Sequence, residues 1–185
     1  MLALLCGCMA TKRFSPADQK KIHTISISKI ENPKGAYYLP PSSTYLGVLA
    51  ILANADMPKK IEDEALSNHI IVGNMAYDKF VSELSKKYKI SNDGKNADAN
   101  FEAKILHYGF SIPHGFSSNL VPVMSIHAKL VQGKKVLWEN NYIVNTLDGL
   151  PQHRPDEIFT NPQIMRASLQ DAVNEGVPGI LAKMN

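Results

Sequence analysis

The sequence predicts a single α/β domain of the α+β kind, a mixed but mainly antiparallel sheet of about four strands packed against helices. Three observations carry this. Residues 25–28 alternate Ile-Ser-Ile-Ser, the period of a half-buried strand. Residues 61–88 set apolar side chains at three- and four-residue steps, the period of a helix face. Residues 121–145 form two alternating runs about a glycine-lysine turn, which reads as a hairpin. At 185 residues, 44% hydrophobic and 20% charged, the chain has an ordinary globular composition and enough length for one real core.

Taken in order, Lys20–Ile30 reads as the first strand. His23 shares the parity of Ile25 and Ile27 and reads as a packed or capping residue at the strand edge. The stretch ENPKGAYYLPPSST (31–44) is dense in proline and glycine and reads as a loop, in which Tyr37 and Tyr38 either pack against the domain, the favoured reading, or offer an exposed contact. Ser42 or Ser43 caps a short, uniformly apolar helix through about Ala55, and Pro58 stops it. That helix is either wholly buried or a contact surface.

From Ile61 the residues Leu66, Ile70, Gly73, Tyr77, Phe80, Leu84 and Tyr88 make one apolar helical stripe. The β-branched pair Ile71-Val72 and the following Gly73-Asn74 weaken its middle and allow a break into two helices. Glu62, Asp63 and Glu64 sit where carboxylates favour the positive end of the helix dipole. SNDGKNADAN (91–100) closes the region as a loop.

Three strands follow, at about Asn100–Ile112, Val121–Val131 and Lys135–Asn145. Met124, Ile126, Ala128 and Leu130 share one face of the first hairpin arm, and Val136, Trp138, Tyr142 and Val144 one face of the second. Burying both sets together requires an odd-numbered loop, such as three residues (132–134) with a bulge. His127 then lies with Ser125 and Lys129 on the polar face. His107 is on a neighbouring strand, but with no third ligand in view the pair does not make a metal site. The tail is helical. Asn161-Pro162 supplies cap and first position, Met165, Leu169, Ala172 and Val173 form its face, and Gly176–Gly179 interrupt it before a last turn with Ile180, Leu181 and Met184.

Chemistry-bearing patterns are few. There is no nucleophile-elbow, zinc-protease, P-loop or dinucleotide fingerprint. His114 stands near Ser117, but without an orienting third group Ser117 reads as a loop serine. No catalytic, cofactor-binding or metal-ligating residue is expected, and the reading is non-enzymatic. The net charge is +3 with both signs interspersed. Lys86-Lys87 with Lys89, and Lys134-Lys135, read as solvated faces and turns, so nucleic acid is not an expected partner.

The amino terminus, MLALLCGCMATKRF, holds both cysteines. A disulfide between Cys6 and Cys8 would be strained and close almost no loop, and two cysteines make half a zinc site. Leu5-Cys6-Gly7-Cys8 instead resembles a bacterial lipobox. The small residue before Cys8 makes that cysteine the lipidation site, whereas Leu5 precedes Cys6. The resemblance implies a partial signal sequence over 1–7, a lipid-anchored tether over 8–19 and a single domain over 20–185. Only Met1–Leu5 precede Cys6, without a basic residue, which is shorter than a complete secretory signal. Met9 is not the aspartate that retains such proteins at the inner membrane, so the resemblance implies the outer membrane, with the domain in the periplasm. A fold without further cysteines relies on packing there.

A second resemblance lies in the domain. ADANFEAKILHYGFSI (97–112) and LVPVMSIHAKLVQGKKVLWENNYIV (120–144) are similar to a layout of bacterial envelope lipoproteins. It occurs in the lipoprotein activators of penicillin-binding proteins and in curli-secretion-type lipoproteins, whose folds resemble the amino-terminal domain of the Tol-system propeller protein. The matching residues are Ala97-Asp98, Gly109, Leu130-Val131, Gly133 and Val136-Leu137-Trp138-Glu139. The resemblance implies a turn and a buried tryptophan and carries no catalytic residue. The function expected is a lipid-anchored accessory or assembly subunit with an envelope protein partner. The alternatives are a carrier of a small apolar ligand or lipid, using residues 45–55 against the sheet, and a hydrolase with a non-local site.

Overall fold

The computed structural model describes residues 11–39, 56–91, 94, 96–113 and 117–184. Strands are β1 (Thr24–Ile27), β2 (Tyr37–Leu39), β3 (Lys89–Ser91), β4 (Ala99–Ser111), β5 (Val121–Gln132) and β6 (Lys135–Val144). Helices are α1 (Pro16–Gln19), α2 (Met57–Ser67), α3 (Val72–Leu84), α4 (Pro155–Thr160) and α5 (Pro162–Ala182). The sheet has six strands in the order β3-β1-β4-β5-β6, with β2 also paired to β4. This corrects the expected four mainly antiparallel strands. β1 pairs in parallel with both β3 and β4, β2 pairs in parallel with β4, and only β4-β5-β6 are antiparallel.

Both added strands are three residues long, too short for alternation to register. β2 lies inside the stretch expected to be a loop. It fits there because β4 offers a glycine opposite Tyr37. A Cβ on Gly109, at φ +149°, would sit 1.9 Å from the Tyr37 carbonyl oxygen, so only glycine lets the two backbones meet. β4 thus serves two partners along its outer edge, β1 beside Ala99–Phe101 and β2 beside Gly109–Ser111.

The hairpin meets its expected outcome by another device. Its turn is Gly133-Lys134, a two-residue loop with Gln132 opposite Lys135. The register then shifts between Leu130 and Val131, so Val131 faces Val136 while Leu130 faces Trp138. The extra residue on β6 is a bulge, which supplies the odd count that an even turn lacks. From there Ile126 faces Tyr142 and Met124 faces Val144, as the apolar pattern requires. Val136 is the exception. It lies before the bulge, beside half-buried Val131, while Leu137 and Trp138 are both buried.

One helical layer covers the apolar face. Phe80 of α3 meets Phe101 of β4 with ring centroids 5.0 Å apart, and Phe101 stacks on Trp138 at 6.2 Å. Trp138 is fully buried, as the resemblance implied, and its indole N–H donates to the Lys183 carbonyl at 3.1 Å. The break expected near Ile71 separates α2 from α3. In α3 the buried positions Val72, Ala76, Phe80 and Leu84 follow four-residue steps. In α2 the phase differs from expectation. Ile61 and Ala65 are buried, and Leu66 is 47% exposed. That helix begins at Met57, with Pro58 in its first turn, where a missing N–H costs nothing. Pro58 therefore opens a helix. The expected helix through Ala55 lies outside the described residues.

α5 runs unbroken from Pro162 to Ala182, with Asn161 capping it through a bond from the Gln163 N–H at 3.0 Å. The expected interruption at Gly176–Gly179 does not occur. Those glycines are where the helix lies against the sheet. A Cβ on Gly176 would come within 2.8 Å of Ile126 Cδ1, and one on Gly179 within 2.3 Å of the Tyr142 ring. Close approach, and not helix termination, is what they serve.

Of the expected tether, residues 11–19 are described, and from Lys12 onward they lie on the domain. Lys12 exchanges two backbone hydrogen bonds with Glu139 at 2.7 and 3.0 Å, and its ammonium donates to the Val136 carbonyl. Phe14 is buried in the core. Ser15 caps α1, and Asp18 accepts from Lys135 at 2.9 Å.

Candidate interaction surface

The face of the sheet opposite the helices carries its polar side chains. Glu102 and Lys129 pair across β4 and β5 at 2.9 Å, and His127 Nε2 lies 2.9 Å from Glu139 Oε1. Ser26, Ser28 and Asn100 share hydrogen bonds of 3.0–3.3 Å across β1 and β4. These contacts knit four strands together at partly exposed positions, where each is worth little by itself.

His107 reaches this face through a second bulge. The β4-β5 register shifts between Ile105 and His107, so His107 faces Ser125 while Tyr108 turns into the core. Its ring meets the Tyr37 ring at 5.4 Å. His107 and His127 are therefore on one face, but each turns to a different neighbour, and no group of three or more metal-ligating side chains occurs among the described residues.

Tyr37, His107, Ser111, Val123, Ser125 and Ile143 line a mostly apolar depression of about 350 Å³ at this end of the face. Tyr37 is 38% exposed and Ile143 64%. Of the two tyrosines expected to pack, Tyr38 is half-buried against the core and Tyr37 stands at the rim. A wider opening of about 720 Å³ lies where β1 has left β4 and β2 has not begun, between residues 29–34 and 103–107.

The remaining sequence candidates have structural roles or lie elsewhere. His23 is exposed, and its backbone N–H and that of Thr24 both donate to the Asp98 carboxylate at 2.8 Å. Those two bonds hold Asp98 below the usual carboxylate range, because they favour the charged form. Asp98 thus fixes the start of β1 beside β4. Glu62 accepts from the Gly35 N–H at 3.1 Å and ties the loop before β2 to α2. Ser117 Oγ accepts from the Asn119 N–H at 3.0 Å, a loop-closing bond. Cys6, Cys8 and His114 lie outside the described residues. No helix among the described residues is long and apolar enough to cross a membrane.

Missing from the sequence reading are Tyr37 and Ile143 as co-lining residues. One sits in a strand three residues long and the other at the end of an edge strand. A sequence signal for Ile143 is its parity, which sets it on the face of Ser125 and His127.

No family model matches the chain, and no curated protein matches it. Solved structures resemble it in overall layout. Protein XCC0632 from Xanthomonas campestris is 12% identical, covering 90% of this chain and 86% of that one at a TM-score of 0.48. The PelC dodecamer from Paraburkholderia phytofirmans is 7% identical, covering 95% of each chain at 0.38. Lipoprotein GNA1162 from Neisseria meningitidis is 15% identical, covering 83% and 96% at 0.29. These likenesses assign no residue of this chain a role.

Proposed function

We propose that this chain is a lipid-anchored envelope lipoprotein of the outer membrane, held in the periplasm as a non-enzymatic accessory or assembly subunit. The observation that carries the reading is Leu5-Cys6-Gly7-Cys8, in which Gly7 singles out Cys8 for acylation. More than one acyl chain on that residue gives stable attachment. The open sheet face, with its apolar depression at Tyr37, His107 and Ile143, supports a role in meeting an envelope protein. The test is incorporation of labelled palmitate by the chain expressed from its genomic start. Label is expected in the wild type and lost in Cys8→Ser; an unlabelled, soluble wild type defeats the reading.

The same depression favours a second reading, a carrier for a small apolar ligand. Native mass spectrometry that finds lipid co-purifying with the unacylated chain, and losing it on Ile143→Asp, would favour the carrier.

A further inference from the structure

The charge of this protein is unevenly placed. The starts of β1, β3, β4 and β6 and the end of β5 meet at one pole of the sheet, as their pairings require. Cross-links bring other elements to it. The Lys89 N–H donates to the His23 carbonyl, Asp18 takes the Lys135 ammonium, and the α5 end reaches β6 through Lys183 and Trp138. Ten of the 19 described lysines and arginines lie on these ends or on the turns that join them.

The described carboxylates there are few, and each is engaged. Asp18 pairs with Lys135, Glu83 with Lys79 and Lys86, Glu139 with His127, and Asp98 with two backbone N–H groups. The Lys183 ammonium also donates to the Asn141 carbonyl at 2.7 Å. That accounts for some of the cations. It leaves Arg13, Lys20, Lys21, Lys89 and Lys134 exposed and without an ion pair among the described residues.

The chain's entry point adds a geometric constraint. Lys12 is bonded to Glu139, four residues along β6 from Lys135. Four residues also separate Lys12 from Cys8, a reach of about 14 Å at most. An acyl group on Cys8 therefore holds the domain within about one or two Debye lengths of the headgroups.

We propose that this basic pole is a docking surface for anionic lipid headgroups and seats the domain on the leaflet beside its anchor. The proposal rests on the acylation reading for its position, but headgroup recognition belongs to the pole itself. The experiment therefore uses the full chain carrying Cys8→Ser, with palmitate incorporation by the wild type measured separately. Flotation is compared on vesicles of phosphatidylcholine alone and on vesicles with one third phosphatidylglycerol.

The chain is expected to float only with the anionic vesicles and to be released by high salt. Each cation at such a surface contributes about fivefold, so Lys20→Glu, Lys21→Glu and Lys134→Glu together lower partitioning by about 100-fold or more. Lys29→Glu, Lys34→Glu and Lys104→Glu together make the same change in net charge away from the pole and are expected to retain most of the binding. Circular dichroism checks both folds, and Arg13→Gln with Lys89→Gln gives a milder pole variant. Equal binding to both vesicle types, equal loss in the two triple variants, or tighter binding to single-stranded nucleic acid than to the anionic vesicles each overturns the proposal. Failure of palmitate labelling alone defeats the anchor and leaves the headgroup result to stand.

Discussion

Gly176→Ala is a sharp test of how α5 lies on the sheet. Helix propensity alone predicts that alanine stabilises an interior helical position by about 1 kcal/mol over glycine. The packing predicts the opposite. The new Cβ would fall 2.8 Å from Ile126 Cδ1 and 3.1 Å from Val144 Cγ2, both on buried side chains. Carbon atoms rest about 3.5–4.0 Å apart, so the two buried side chains must turn aside or the helix and strands must separate by several tenths of an ångström. Overpacking of this kind costs about 1–3 kcal/mol, which outweighs or cancels the propensity gain and leaves a net loss of about 1 kcal/mol.

The atom at fault can be removed. Ile126→Val deletes Cδ1 and by itself costs about 0.5–1.5 kcal/mol. Together the two substitutions should cost less than their sum by about 1 kcal/mol, a favourable coupling characteristic of residues in contact. Urea unfolding followed by the fluorescence of Trp138, which is buried and the only tryptophan, reads all four chains. A Gly176→Ala chain more stable than the parent by the full propensity term, or strict additivity in the cycle, would refute the close approach.

Other outcomes follow from single contacts. Trp138→Phe removes the bond to the Lys183 carbonyl and part of a fully buried ring system, and should lower stability by about 1–3 kcal/mol, measured by urea titration followed by circular dichroism. Asp98 has its folded carboxyl held below the ordinary value of 3.8, so its contribution is complete above that pH and is lost as pH falls through the folded value. Asp98→Asn should therefore lie furthest below the wild type near neutral pH and converge on it in acid; a constant gap in denaturant titrations across that range refutes the assignment.

Much of the fold could be read in advance where a pattern runs longer than about two repeats. β4, β5 and β6 lie within one or two residues of their expected bounds, and α3 follows its apolar steps. Three-residue strands carry no such period, so β2 is found only through its pairing with β4 and β3 only through its pairing with β1. Local propensity stops helices at residues such as Pro58, Gly176 and Gly179. In the structure each is explained by position, the first by a helix start and the others by what packs against them. The open face was partly legible, because alternation set Ser125, His127 and Lys129 together. Its depression was not, because the Ile105–His107 bulge and the Tyr37 pairing bring together residues about 70 and 100 positions apart in the chain, beyond any local pattern. Cys8 remains a statement of sequence.

The place of β1 in the sheet has a consequence for timing. β1 sits between β3 and β4, and its neighbours are Ile90 and Ala99 for a strand that begins at Thr24. The preceding segment waits longer still, since Lys12 needs Glu139 and the Gln19 side chain reaches the Met184 carbonyl at 3.5 Å. A chain synthesised or exported from its amino terminus thus carries its first strand unpaired until half its length has emerged. The last closure joins segments from its two ends. Such long-range pairing slows folding and leaves apolar strand edges open meanwhile, so this chain should depend on protection during passage more than a hairpin-first domain of the same size.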